Sequence, residues 1–367
     1  MSAPGGRSFG ANILISVGFT ALLTVLALLN SVVIARLGGP EGRGLYSIAV
    51  AVLGLLIPFA TCGLGFSSTW ALGRGRGLRE VLALDLAHGG IVTALSLLGA
   101  TGLWVWFGGL PSPEWARVAL AVLLTLPAAS YAEIGRGVFL GLNQVVRFNL
   151  VQAFSVAALL AANLLLLDRG REWVLFSLWI GYAVPGLILV VQHVRLARPL
   201  VLRSQEFVRE QLRYGFQASG SHLIEVLLLR LDYLLIGPIV GVAALGLYSV
   251  ADQVATVLAW AGTVIGRLML AESSSDAEGS LGRRKLGLGV RLLGAVVIAA
   301  SLGATVTGWF LLPAVFGPEF RSAYLGMVLM LPAALLRGSS ALIGTYLMGK
   351  DTVRPVLVAG AVATGII

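Results

Sequence analysis

Ten apolar segments, each long enough to cross a bilayer, follow one another along the chain, and an eleventh begins near its end. They fall at roughly 11–36, 45–70, 82–107, 116–140, 146–168, 173–197, 211–237, 243–271, 288–315 and 321–348, and the last runs from 352 onward. A bilayer core takes about 20 mostly apolar residues per helix. Hydrocarbon offers no water to the backbone, so such segments cross it as helices. The expected fold is therefore all-α and polytopic. The chain is 57% hydrophobic and 12% charged, against about 25% charged in soluble domains, so lipid is its solvent. A net charge of +9 would suggest nucleic acid in a soluble protein, but here the basic residues sit in the loops between segments.

The segments are written twice. Gly44-Leu45-Tyr46-Ser47 opens the second segment, and Gly246-Leu247-Tyr248-Ser249 opens the eighth, 202 residues later. At the same offset Asn30 falls on Asp232, Ile34 on Ile236, Gly39 on Gly241 and Ala49 on Ala251. Further along, Pro113-Glu114-Trp115 and Leu126-Pro127-Ala128-Ala129 match Pro318-Glu319-Phe320 and Leu331-Pro332-Ala333-Ala334 at an offset of 205. Internal duplication is a common build for secondary transporters. The expected organisation is an N-terminal six-helix bundle over 1–197, a cytoplasmic linker over 198–210 and a C-terminal bundle over 211–367. Six helices per half is an even number, which makes the repeats parallel about the membrane normal. The apolar run at Gly365-Ile366-Ile367 has no polar exit, which reads as a second bundle cut short.

Loop charge sets the expected orientation. With the N-terminus in the cytoplasm, the inner loops hold sixteen lysines and arginines and the outer loops six, Arg36 and Arg43 among the latter. Arg136, Arg230, Arg267 and Arg337 lie inside segments. The asymmetry favours a cytoplasmic N-terminus. Trp104, Trp106, Trp115, Trp173 and Trp309 stand at segment ends, where an aromatic belt falls. The one cysteine, Cys62, lies in an apolar run and reads as a buried thiol. His88, His193 and His222 have no ligand-spaced partners, so no metal and no cofactor is expected.

The string Ile34-Ala35-Arg36-Leu37-Gly38-Gly39-Pro40-Glu41-Gly42-Arg43-Gly44-Leu45-Tyr46 resembles the first hairpin of the polysaccharide-exporter (Wzx-type flippase) family. Leu229-Arg230-Leu231-Asp232-Tyr233-Leu234-Leu235-Ile236-Gly237 with Gly246-Leu247-Tyr248-Ser249-Val250-Ala251, the Gly141-Leu142-Asn143 turn and Phe316-Gly317-Pro318-Glu319-Phe320 fit the same family. It is part of the multidrug/oligosaccharidyl-lipid/polysaccharide exporter superfamily. The resemblance implies two six-helix lobes around a central cavity. It also implies translocation of an undecaprenyl-diphosphate-linked oligosaccharide between leaflets. The stop at Ile367 departs from that pattern.

Charges inside segments are the candidate site residues, because each costs about 2.5–3.5 kcal/mol at a helix centre. Arg337 is mid-segment; so is Glu225, with His222 three residues before it. One reading has Arg337 meet an anionic headgroup while Glu225 and His222 exchange protons. The other is a Glu225–Arg337 pair that fastens two helices. Arg230 and Asp252 flank the turn near 238–243 at matched depth and could pair across it, with Asp232 nearer the surface. Glu133 and Arg136 read as a local pair. Asp85, near the start of its segment, reads as a complement to the positive helix end. Pro58, Pro127, Pro185 and Pro332 interrupt segments and should bend them.

The expected function is export or flipping of a lipid-linked saccharide by alternating access. The alternatives are a multidrug or peptidoglycan-precursor exporter of the same superfamily and, less favoured, a membrane glycosyltransferase or polymerase. The last generally needs a sizeable outer loop bearing carboxylates, and the outer loops here are a few residues long.

Overall fold

The computed structural model describes residues 9–110, 113–197, 204–273 and 280–349. Among them there is no strand. The helices are α1 (Phe9–Thr61), α2 (Leu64–Gly73), α3 (Leu78–Trp106), α4 (Glu114–Gly141), α5 (Val145–Leu166), α6 (Trp173–Ala197), α7 (Gln205–Val240), α8 (Val242–Ser273), α9 (Ser280–Phe316) and α10 (Ala323–Gly349). Short 3-10 turns at Leu167–Arg169 and Pro318–Ser322 follow α5 and α9. The described residues contain eight helices long and apolar enough to cross a membrane. The number is below ten because the first two expected segments share α1, and because α7 is not among the eight. The segment expected from 352 onward lies outside the described residues, as do residues 198–203 of the expected linker; from Gln205 onward the linker is already α7.

Three expected boundaries are corrected. The connection left between the expected segments 11–36 and 45–70 is one residue wide: Gly39, at φ 62° and ψ −169°, breaks α1 into two helical arms. Only glycine takes that conformation cheaply, and Pro40 behind it suits the start of the second arm. The turn expected near 238–243 shrinks in the same way to Gly241, at φ 116°, between α7 and α8. Gly39 and Gly241 are repeat equivalents, so the duplication preserves the backbone break as well as the letters. The second segment, expected to run over 45–70, instead stops at Thr61 and resumes as α2. Cys62 (φ 48°) and Gly63 (φ 69°) form the corner. Cys62 is thus a half-exposed turn residue, not a buried thiol. Pro127, Pro185 and Pro332 stand inside continuous helices.

Packing divides the chain into two compact units: residues 1–38 with 45–239, and 39–44 with 240–367. In the first unit, Leu64 and Ala71 of α2, Leu82 of α3, Ile134 of α4 and Phe207 of α7 are buried together. Glycine lets α2 and α4 touch: a Cβ on Gly137 would lie 2.0 Å from the Gly65 carbonyl oxygen. Thr69 Oγ1 donates to the Gly137 carbonyl at 2.8 Å across that contact. Large apolar side chains such as Leu98, Trp106, Val306 and Phe310 face outward, well exposed, as surfaces solvated by lipid do.

Asn30 of α1 and Asn163 of α5 are both buried, and the Asn163 amide donates to Asn30 Oδ1 at 2.8 Å. Asn163→Ala should lower unfolding free energy in detergent by about 1–2 kcal/mol, because the Asn30 carbonyl is left without this donor in apolar surroundings. A denaturation midpoint equal to wild type would show that the bond contributes nothing.

In the second unit, Ala255 and Ala259 of α8, Leu293 and Val297 of α9 and Ala334 of α10 form the core. The six residues Gly39–Gly44 of α1 pack with this unit. There a Cβ on Gly44 would sit 1.9 Å from the Val242 carbonyl oxygen, and a Cβ on Gly246 would sit 1.9 Å from the Pro40 carbonyl oxygen. Position 40 is equivalent to 242, and 44 to 246. The two approaches are therefore reciprocal, as contacts about a local two-fold must be. Small residues four apart are what let helices approach this closely in lipid.

Candidate functional site

Three polar residues of the second unit share one face of α8. Ser249, Asp252 and Gln253 are spaced i, i+3 and i+4, which places them together on a helix. Ala251, Ala255 and Ala259, on the adjoining stripe, are nearly fully buried. Their small side chains let α10 come close, and a Cβ on Gly338 would lie 3.2 Å from the Ala259 carbonyl oxygen. That approach carries Arg337 of α10 to Asp252, and its NH1 donates to Asp252 Oδ1 at 2.7 Å. Asp252 is 8% exposed, while the Arg337 side chain keeps 35% of its surface open.

A second guanidinium reaches the same face from α1. Arg43 is 7% exposed. Its Nε donates to Ser249 Oγ at 3.0 Å and its NH2 to Gln253 Oε1 at 3.1 Å. Ser249 Oγ in turn donates to the Gly246 carbonyl at 2.8 Å. Two permanent cations, Arg43 and Arg337, thus stand along the polar face of α8. Guanidinium groups present a planar fork of donors that matches carboxylate and phosphate oxygens two at a time.

This geometry corrects part of the sequence reading. Asp252 takes Arg337 as a partner, where the hairpin argument gave it Arg230. Arg337 is bound to Asp252; the Glu225 side chain of the fastening alternative lies outside the described residues. Arg230 instead lies over the ring of Tyr233 at 5.2 Å, and Asp232 Oδ1 accepts from the Tyr233 backbone N–H at 2.9 Å. His222 and Glu225 belong to α7, but their side chains lie outside the described residues. Glu133 and Arg136 form an i,i+3 pair at 3.3 Å, and the Arg136 guanidinium also covers the Phe148 ring. Arg43, which reads as an outer loop charge, belongs to the buried face. The signal for it was the cluster Ser249, Asp252 and Gln253, three polar residues on one side of an apolar helix.

The first unit holds a different polar group. Asp85 lies two turns inside α3, beyond reach of the helix end, and is fully buried. Ser68 Oγ of α2 lies 3.0 and 3.1 Å from its two carboxylate oxygens. Nearby, the Tyr131 hydroxyl of α4 and His193 Nδ1 of α6 are hydrogen-bonded at 2.9 Å. His88 Nε2 bonds the Ala60 carbonyl at 2.7 Å. Among the described residues no cluster of three or more His, Cys, Asp or Glu side chains could hold a metal.

The family model for polysaccharide biosynthesis proteins matches residues 9–267. No curated protein matches by sequence. A solved structure of a Lipid II flippase, MurJ, in an inward closed conformation is similar at 14% identity with a TM-score of 0.75. The match covers 95% of this chain and 78% of that one. An inward-facing multidrug resistance MATE transporter of the MOP superfamily is similar at 17% identity with a TM-score of 0.59, covering 89% and 84%. At such identities the likeness shows a shared fold.

Proposed function

The chain belongs to the polysaccharide biosynthesis protein family, and on that premise we propose that it flips a lipid-linked saccharide precursor across the bacterial inner membrane. The observation that carries this reading is the face of α8, where Arg43 and Arg337 converge on Ser249, Asp252 and Gln253 beside a buried alanine stripe. A lipid-linked saccharide of the undecaprenyl-diphosphate type must bring an anionic headgroup past hydrocarbon while its tail stays in lipid. Guanidinium donors replace the water that the phosphates lose. With the inside negative, each negative charge moved outward also gains about 2.3 kcal/mol per 100 mV. Alternating access, with the N-terminus in the cytoplasm, is the proposed cycle. Resemblance to a Lipid II flippase supports a lipid-linked cargo, and makes a peptidoglycan precursor the alternative substrate. Export of organic cations, suggested by the likeness to a multidrug transporter, suits a face built around arginine less well.

The test is reconstitution into liposomes containing a diphosphate-linked oligosaccharide lipid with a labelled glycan. The glycan should become accessible to an impermeant glycosidase in the opposite leaflet faster than in protein-free vesicles. Accessibility no faster than in empty vesicles, with uptake of a cationic dye instead, would overturn the reading in favour of multidrug export.

A further inference from the structure

We infer that Asp252 is an internal competitor of the phosphates. Its carboxylate occupies one of the two guanidinium forks on the α8 face, the headgroup must displace it to bind, and its return releases the cargo. The inference rests on the flippase reading for its ligand. It adds to that reading a residue that sets affinity against the cargo, where the arginines set it in favour.

Both forks are engaged, but by acceptors of different kinds. Arg43 Nε and NH2 donate to the Ser249 hydroxyl and the Gln253 amide oxygen at 3.0 and 3.1 Å. These acceptors are neutral. Arg337 NH1 donates to a carboxylate oxygen at 2.7 Å. A hydrogen bond between charged partners is shorter and about twice as strong as a neutral one. A phosphate arriving at Arg43 replaces neutral acceptors with an ionic one, which is a clear gain. A phosphate arriving at Arg337 replaces one anion with another, and the gain is small. Asp252 therefore limits how tightly this face holds a diphosphate.

Position and charge agree with an exchange. Ser249, Asp252 and Gln253 lie within one turn of α8, so the carboxylate that holds Arg337 stands beside both acceptors that hold Arg43. A diphosphate that joins a lipid to a sugar carries a negative charge on each phosphate. With Asp252 in place, Arg43, Arg337 and Asp252 sum to a single positive charge. With it displaced, the two guanidinium groups face the two phosphates. The Arg337 side chain keeps 35% of its surface open, against 11% for Asp252. An incoming phosphate can therefore share the guanidinium before the carboxylate has left, and no step leaves the cation bare. A transport site must let its cargo go as well as hold it. A carboxylate kept beside the fork supplies the release. A pair that only fastened α10 to α8 would govern stability and protein level, and would leave affinity unchanged.

The probe is a short-chain polyprenyl diphosphate carrying one labelled sugar. Its Kd is measured on purified protein in detergent, and its transfer is followed in the liposomes described above. Asp252→Asn keeps an oxygen that can accept from Arg337 and removes the charge. The probe should then bind about tenfold more tightly, and KM and kcat should fall together because release slows. Gln253→Glu is the converse. It sets a carboxylate where Arg43 NH2 now meets an amide oxygen, which suits a buried cation, so the protein should be recovered in normal amount. The probe should bind it about tenfold more weakly. This variant decides the matter if Asp252→Asn is not recovered from the membrane. A wild-type protein that transfers no probe overturns the flippase reading, and one that also binds none overturns this inference with it. Where the wild type binds, unchanged or weaker binding in Asp252→Asn, or unchanged or tighter binding in Gln253→Glu, overturns the competitor alone.

Discussion

Gly44→Ala should remove most of the folded protein from the membrane, and Gly246→Ala should do the same. Each glycine faces a backbone oxygen 1.9 Å from where a Cβ would be, so the segments would have to part by about 1.5 Å to reach an ordinary 3.4 Å contact. Overpacking that a side chain can relieve costs about 1–3 kcal/mol. Here the obstacle is carbonyl backbone, so about 3 kcal/mol or more is expected. Separation would also stretch the hydrogen bonds from Arg43 to Ser249 and Gln253. The recovered yield of monodisperse protein and its thermal midpoint in detergent measure the effect. Because one displacement relieves both clashes, the double substitution should cost much less than the two singles together. Gly303→Ala on α9, where a Cβ meets nothing within 4 Å, should be neutral or gain about 0.5–1 kcal/mol from helix propensity. A Gly44→Ala protein as stable as Gly303→Ala would show that the reciprocal crossing does not exist.

That crossing was half legible in the sequence. The repeated Gly-Leu-Tyr-Ser motif is visible in the letters, and so is the equivalence of Gly39 with Gly241. That the two motifs pack on each other is not, because periodicity tells which residues share a helix face but not which helix covers it. The same limit explains the charges. Matched depth across a short turn made Arg230 and Asp252 plausible partners, yet Asp252 points to α10, and the alanine stripe beside it is what brings α10 within reach. Arg43 was misplaced because three glycines and a proline around it resemble a loop. In lipid those same residues permit close helix packing. Asp85 was misread for a simpler reason: α3 begins at Leu78, earlier than the apolar pattern indicates, which carries the carboxylate from the helix end to its interior. Glu133 and Arg136 were readable because an i,i+3 pair needs nothing beyond its own helix.

Arg337→Ala should lower flipping strongly, and the companion substitution Asp252→Asn should separate its two effects. Arg337 does two things: its NH1 is bound to Asp252 at 2.7 Å, and about a third of its side chain remains open. Removing it takes a cation from a carboxylate that is 8% exposed. Breaking a fully buried pair costs about 3–5 kcal/mol, and the open surface of Arg337 brings the expected loss nearer 2 kcal/mol. Arg337→Ala should therefore lower both the protein level and the flipping rate. In Arg337→Ala with Asp252→Asn the buried carboxylate charge is removed as well, so the protein level should return towards wild type. The flipping rate should not, because the forked donor for the headgroup is still missing. Arg337→Lys keeps the charge and can hold Asp252, but a lysine ammonium cannot bind two phosphate oxygens in the planar manner of a guanidinium. That variant should reach a normal level and flip at least about tenfold more slowly, a loss of 1.4 kcal/mol in binding the headgroup. If the double substitution restores flipping along with protein level, Arg337 serves only to fasten α10 to α8, and the headgroup site must be sought at Arg43.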